Sequence, residues 1–123
     1  MYDTLYASEI KFVNLTDHEV RLGDRLVVPP ADRPARVLNG RRQDGSVVLE
    51  QSEEVIPIYR FEPRGQIVGL PDPKPGVSYI VSPIVRRELT QRGLHCPDVF
   101  SPYAIESRSA RGRSVPCATA LAR

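Results

Sequence analysis

The sequence predicts a single, mainly β domain, a small barrel or sandwich of about eight short strands with one short helix over 82–93. Three observations carry this. The chain has 123 residues, 41% of them hydrophobic, enough for one core and too few for two. Its twelve prolines are spread along the whole length, which disfavours long helices and suits short extended segments joined by stiff turns. Short apolar or alternating runs recur at close spacing with turn residues between them.

Residues 1–10 show no clear period and read as a loosely held arm or a strand given to a neighbouring subunit. Strands follow at 10–13, 19–22 and 25–28, with Gly23-Asp24 as a two-residue hairpin turn between the last two. Pro29 and Pro30 end that ladder. A short strand at 36–38 leads into 39–45, which carries the turn dipeptides Asn39-Gly40 and Asp44-Gly45 and reads as an exposed hairpin or loop before 46–50 extends again.

The run 55–61 places Val55, Pro57, Tyr59 and Phe61 on one face and Ile56, Ile58 and Arg60 on the other. Apolar residues on both faces mean that both need at least partial cover, and Pro57 puts the strand at an edge or a bulge. Residues 66–70 form a short strand, 71–76 a stiff turn, and 77–81 the clearest buried strand of the chain. A helix of roughly three turns comes next. Ser82 suits its N-cap, Pro83 its first position and Gly93 its C-terminal cap, while Val85 and Leu89 share a face at i and i+4. Residues 98–105 and 114–121 extend again around Pro102 and Pro116, and the polar stretch 106–113 between them reads as a turn or exposed loop.

Charge does not name a partner: 17 basic against 15 acidic residues leave a net charge of +2, too little to draw a polyanion from a distance. Only Lys11 and Lys74 are lysines, a bias that matches the codon usage of a GC-rich genome as well as it matches bidentate anion contacts. No run approaches the ~18 apolar residues of a membrane span, and Asp3 and Glu9 stand where a signal peptide needs an apolar stretch. The expected location is the cytoplasm. Two cysteines do not make a disulfide framework, so Cys96 and Cys117 are read as small buried apolar side chains, although one bridge between them is compatible with the sequence.

Three groups of residues are candidates for binding. Asn14, Thr16 and His18 alternate and would share a face if the first strand ran on, but the segment Asn14-Leu15-Thr16-Asp17-His18 suits a self-bonded turn better. His18, His95, Cys96 and Cys117 are zinc-ligand types, yet their spacing lacks the usual pairs two to five residues apart, so no metal or other cofactor is expected. Arg86 on the helix, with Arg108, Arg111 and Arg113 among serines beside Gly112, would offer forks, hydroxyls and amides to a small phosphorylated ligand. A solvated loop has the same composition. Eight aromatics, several of them in core-like strands, and a low net charge disfavour nucleic acid. Motifs for a phosphate loop, a nucleophile elbow or a zinc protease are missing, which tilts the reading from enzyme toward binder.

The segments Asn14-Leu15-Thr16-Asp17-His18, Val28-Pro29-Pro30, Gly69-Leu70-Pro71-Asp72-Pro73, Tyr79-Ile80-Val81-Ser82 and Asp98-Val99 together resemble a family of short uncharacterised proteins from actinobacteria and their phages. The likeness runs from about 11 to 99. The family usually has Pro at the place of Asp17 and an Asp-x-x-Gly turn at 109–112. The resemblance implies a phage or prophage setting and carries over no catalytic residue. It leaves three functional classes: an accessory protein binding a host protein or a phosphorylated molecule, a structural subunit in which arm 1–10 and exposed edges pair in a homo-oligomer, and a small enzyme.

Overall fold

The structure, a computed structural model, describes residues 4–38, 41–61, 65–94 and 96–123. After a 3₁₀ turn at Ala7–Glu9, the chain forms β1 (Lys11–Asn14), β2 (Val20–Leu22), β3 (Leu26–Val28), β4 (Arg36–Leu38), β5 (Arg41–Leu49), β6 (Glu54–Phe61), β7 (Gln66–Val68), β8 (Val77–Ile80), α1 (Pro83–Gln91), β9 (Val99–Ala110) and β10 (Arg113–Ala122). The class is mainly β, as the sequence predicts, and the single α-helix among the described residues lies where its caps placed it. Ser82 Oγ accepts from Val85 N at 3.3 Å, and Pro83 opens the helix.

Six strands make one sheet in the order β1-β8-β9-β10-β2-β3. β8 runs parallel to both β1 and β9, and β10 pairs antiparallel with β9 and parallel with β2. After β3 the chain returns to β1, where Pro30 bridges Asn14 and Ala31 N–H donates to the Asn14 carbonyl at 2.8 Å. This return curls the sheet into a nearly closed barrel whose two edge strands meet at Asn14.

The centre of the barrel is β8, whose four residues have neighbours on both faces. Ile80, fully buried, packs with Val20 and Val28 and with half-buried Phe12 and Leu22. On the opposite face Tyr79 and Val81 join Leu15, Ala35, Val85, Leu89 and Val99 under α1. A strand covered on both sides reads as a continuous apolar run, which is why 77–81 stood out in the sequence. Gly69 holds β4 and β7 close together: its φ is +81°, and a Cβ there would lie 2.7 Å from the Pro34 carbonyl oxygen.

Three turns differ from the expectation. Leu22 pairs with Leu26, so the β2–β3 connection is three residues long rather than Gly23-Asp24 alone. Asp44-Gly45 is not a turn but a bulge inside β5, between Gln43 and Ser46, with Gly45 at φ +128°. The polar stretch 106–113 is not a loop, because β9 and β10 stay paired up to Ala110 and Arg113. Arg111 and Gly112, at φ +52° and +75°, close that hairpin as a two-residue turn whose twist matches the strands. The Asn39-Gly40 turn, His95 and the start of the 1–10 arm lie outside the described residues.

Candidate functional site

The first candidate group is a self-contained turn. β1 ends at Asn14, so Asn14, Thr16 and His18 do not form a strip along one strand face. The Asn14 amide, 1% exposed, donates to the carbonyls of His18 at 2.8 Å and Val28 at 2.9 Å. Its Oδ1 accepts from Thr16 N and Thr16 Oγ1, and both of these bonds are buried. The capacity of Asn14 is therefore spent on closing the barrel between β1 and β3. His18 is the exposed member. Its ring Nδ1 lies 3.0 Å from Asp17 Oδ1, and this bond holds the Asp17 carboxyl below the usual carboxylate range.

Arg86 stands apart from the other candidate arginines. Its Nε donates to the buried hydroxyl of Ser101 at 2.6 Å, which fixes α1 against β9. It lines an open cleft of about 370 Å³ with Leu89, Thr90, Cys96 and Arg123. Behind Cys96 lies a second, apolar hollow of about 310 Å³ walled by Leu70, Pro71, Pro73 and Tyr79. Cys96 is half-buried, and Cys117 is buried with its thiol directed at the Gly23 carbonyl; both are free. No cluster of three or more metal-ligating side chains forms among the described residues.

The other arginines sit on a protruding hairpin. The near half of β9–β10 belongs to the barrel, with Val99, Phe100, Ser101, Cys117 and Ala118 buried. Beyond Ala104, a non-glycine residue at φ +53°, β9 presents exposed side chains from 105 to 109 and Arg113, Ser114 and Pro116 are exposed on β10, while Cys117 and Ala118, opposite Glu106 and Ile105, stay buried. Arg108 is tied down, 2.8 Å from Glu106 and 3.4 Å from Asp24. The Glu106 charge, chiefly, raises its pKa above the ordinary arginine value. Arg111 and Arg113 form no ion pair with the described residues. With Arg21, Ala110 and Val115 they surround an open concavity of about 430 Å³, a positively charged tip that the sequence pointed to without Arg21.

For the second hairpin, β5–β6, the sequence predicts an exposed hairpin or loop at 39–45, an extended run at 46–50 and a strand at 55–61 that needs cover on both faces. It is a two-stranded ribbon in which, among the described residues, β5 and β6 pair only with each other. Every residue from 42 to 60 is exposed. Val48 and Val55 face each other on one side with Tyr59 beyond them, while Val47, Ile56, Leu49 and Ile58 occupy the other side. An Arg60–Asp44 pair at 2.9 Å sits near its base. At its far end a turn with Ser52 N–H donating to Leu49 carbonyl gathers Glu50, Glu53 and Glu54. These three carboxylates form no ion pair with the described residues, and Glu53 adopts φ +57° where glycine or asparagine is the easier choice. The signal for this hairpin was present as a four-residue polar break, 50–53, between two apolar runs.

No protein-family model, curated protein or solved structure matches the chain.

Proposed function

We propose that the chain is an assembly protein of the phage or prophage type, a subunit whose β5–β6 ribbon is completed by another subunit. One observation supports this above the rest: six apolar side chains, Val47, Val48, Leu49, Val55, Ile56 and Ile58, are exposed on the two faces of a ribbon that the described residues of its own chain leave open. A two-stranded hairpin is marginal in water by itself, and apolar patches of this kind on a soluble chain mark interaction surfaces. Two unpaired strand edges add backbone donors and acceptors to the same surface. The resemblance to phage-associated proteins supports the same setting, with the virion or its assembly intermediates as the place of action.

The test is light scattering and native mass spectrometry on the whole chain. An oligomer is expected, and Val47→Ser with Ile56→Ser is expected to return it to monomer while the barrel keeps its melting temperature. A wild-type chain that stays monomeric at high micromolar concentration overturns the reading.

The arginine-lined concavity supports a second reading, a small phosphorylated ligand held by Arg21, Arg111 and Arg113. Calorimetric titration of the chain with inorganic phosphate and a nucleotide, repeated with Arg111→Ala, tests it. Binding that the substitution leaves unchanged rules this site out.

A further inference from the structure

We infer that the subunits join head to tail, with the acidic tip of the β5–β6 ribbon of one copy seated in the Arg21–Arg111–Arg113 concavity of the next. This rests on the assembly reading above and names its partner, a second copy of the same chain. The argument is one of complementary charge and matching layout. Glu50, Glu53 and Glu54 bring three carboxylates to one tip, and Arg111 and Arg113 with Arg21 bring guanidinium groups to the other. Arg111, Arg113 and the three carboxylates form no ion pair with the described residues of their own chain, Arg21 lies 3.1 Å from Glu19, and the two tips form no ion pair with each other.

Each tip has apolar surface directly behind it. On the ribbon these are Val48 and Val55 on one face and Val47 and Ile56 on the other, one step from the acidic turn. On the second hairpin Val115 forms part of the concavity wall, and Ile105 and Tyr103 are exposed closer to the barrel. Side-by-side contact of two such hairpins pointing the same way places carboxylate on guanidinium at the tips and buries apolar side chains behind them. Guanidinium forks suit this role because each can take both oxygens of one carboxylate. The alternative of two ribbons meeting tip to tip brings three carboxylates onto three carboxylates and is repelled. An interface between two different patches of one chain is heterologous, so it propagates into a ring or a filament rather than stopping at a dimer.

The experiment uses the full chain in two charge-reversed forms, one carrying Glu50→Arg, Glu53→Arg and Glu54→Arg, the other Arg111→Glu and Arg113→Glu. All five positions are exposed, so both forms are expected to fold, and circular dichroism melts check this. Each form alone is expected to lose assembly by roughly tenfold or more in apparent Kd, since reversed charges now repel at the contact. An equimolar mixture of the two is expected to assemble again, because each acidic tip then meets a basic one. Reversed forms that assemble alone as well as the wild type overturn the head-to-tail contact; if Val47→Ser with Ile56→Ser is monomeric in the same assay, the assembly reading survives. A mixture that stays monomeric also overturns the contact. A wild-type chain that is itself monomeric overturns both.

Discussion

The two long hairpins, β5–β6 and β9–β10, are built from similar materials and held in different ways. Both alternate apolar with polar residues, both end in a charged turn, and both turns contain a non-glycine residue in the left-handed region, Glu53 and Arg111. The β9–β10 hairpin is rooted: Phe100, Ser101, Cys117 and Ala118 are buried in the barrel, and the Arg108–Asp24 contact braces its outer part against the β2–β3 turn. In the β5–β6 ribbon no described residue from 42 to 60 is buried, its apolar side chains included. Apolar alternation alone therefore does not say whether a strand lies inside its own domain. It says only that cover is needed, and for the ribbon we propose that a second copy of the chain supplies it.

The largest effect expected to separate the hairpins is on stability. Phe100→Ala should cost about 3–5 kcal/mol by removing a buried ring, whereas Ile56→Ala on the ribbon should change the stability of the monomer by no more than ~0.5 kcal/mol. Chemical denaturation of each variant under monomeric conditions measures this. Equal losses would mean that the ribbon is packed within the chain after all.

Asn14→Ala comes next. It strands the buried carbonyl of Val28, frees the turn that closes the barrel, and should cost about 2–3 kcal/mol. The ribbon, which takes no part in that closure, should keep its amide exchange rates unchanged in the variant. Ribbon exchange that is faster in the variant than in the unsubstituted chain would show that the two are coupled.

A smaller effect of opposite sign is expected from glycine at the left-handed positions. Ala104→Gly and Glu53→Gly should each stabilise the monomer by about 1 kcal/mol, since glycine adopts these angles without strain. The two then part company: Glu53→Gly should weaken assembly, and Ala104→Gly should leave it intact. Thermal melts and light scattering on the same samples give both readings.

The smallest effect belongs to neither hairpin and serves as a reference. Because the folded-state pKa of Asp17 lies below its ordinary value, its pairing with His18 contributes fully at neutral pH and is lost as the pH falls through that lowered value. NMR titration of the Asp17 carboxyl should show His18→Ala moving its pKa up toward the ordinary range, with no change in either hairpin. A pKa that stays in place would assign the shift to the turn backbone instead.

Much of this architecture was legible along the chain. Prolines scattered through short apolar runs predicted a small β domain, and Ser82, Pro83, Val85, Leu89 and Gly93 located its helix within two residues at each end, because caps and i, i+4 spacing act locally. The apolar run 77–81 announced the central strand for the same reason: it is covered on both faces, so no polar face interrupts it. The self-bonding of Asn14 and Thr16 followed from the short polar side chains themselves. Turns were less legible. Asp44-Gly45 satisfies the composition of a hairpin turn and forms a bulge, because the choice between them depends on which residue of the partner strand lies opposite.

What only the tertiary structure decided is which groups come together. Arg21 lies ninety residues from Arg111 in sequence and lines the same concavity because β2 runs beside β10, a pairing that no local pattern encodes. Closure of the barrel by Pro30 on Asn14 is likewise a long-range event, as is the choice that leaves one apolar hairpin rooted and the other bare. Local sequence sets φ, ψ and the period of burial, since these depend on near neighbours. Sheet order and the location of cover depend on the sum of distant contacts, and those exist only once the chain has folded.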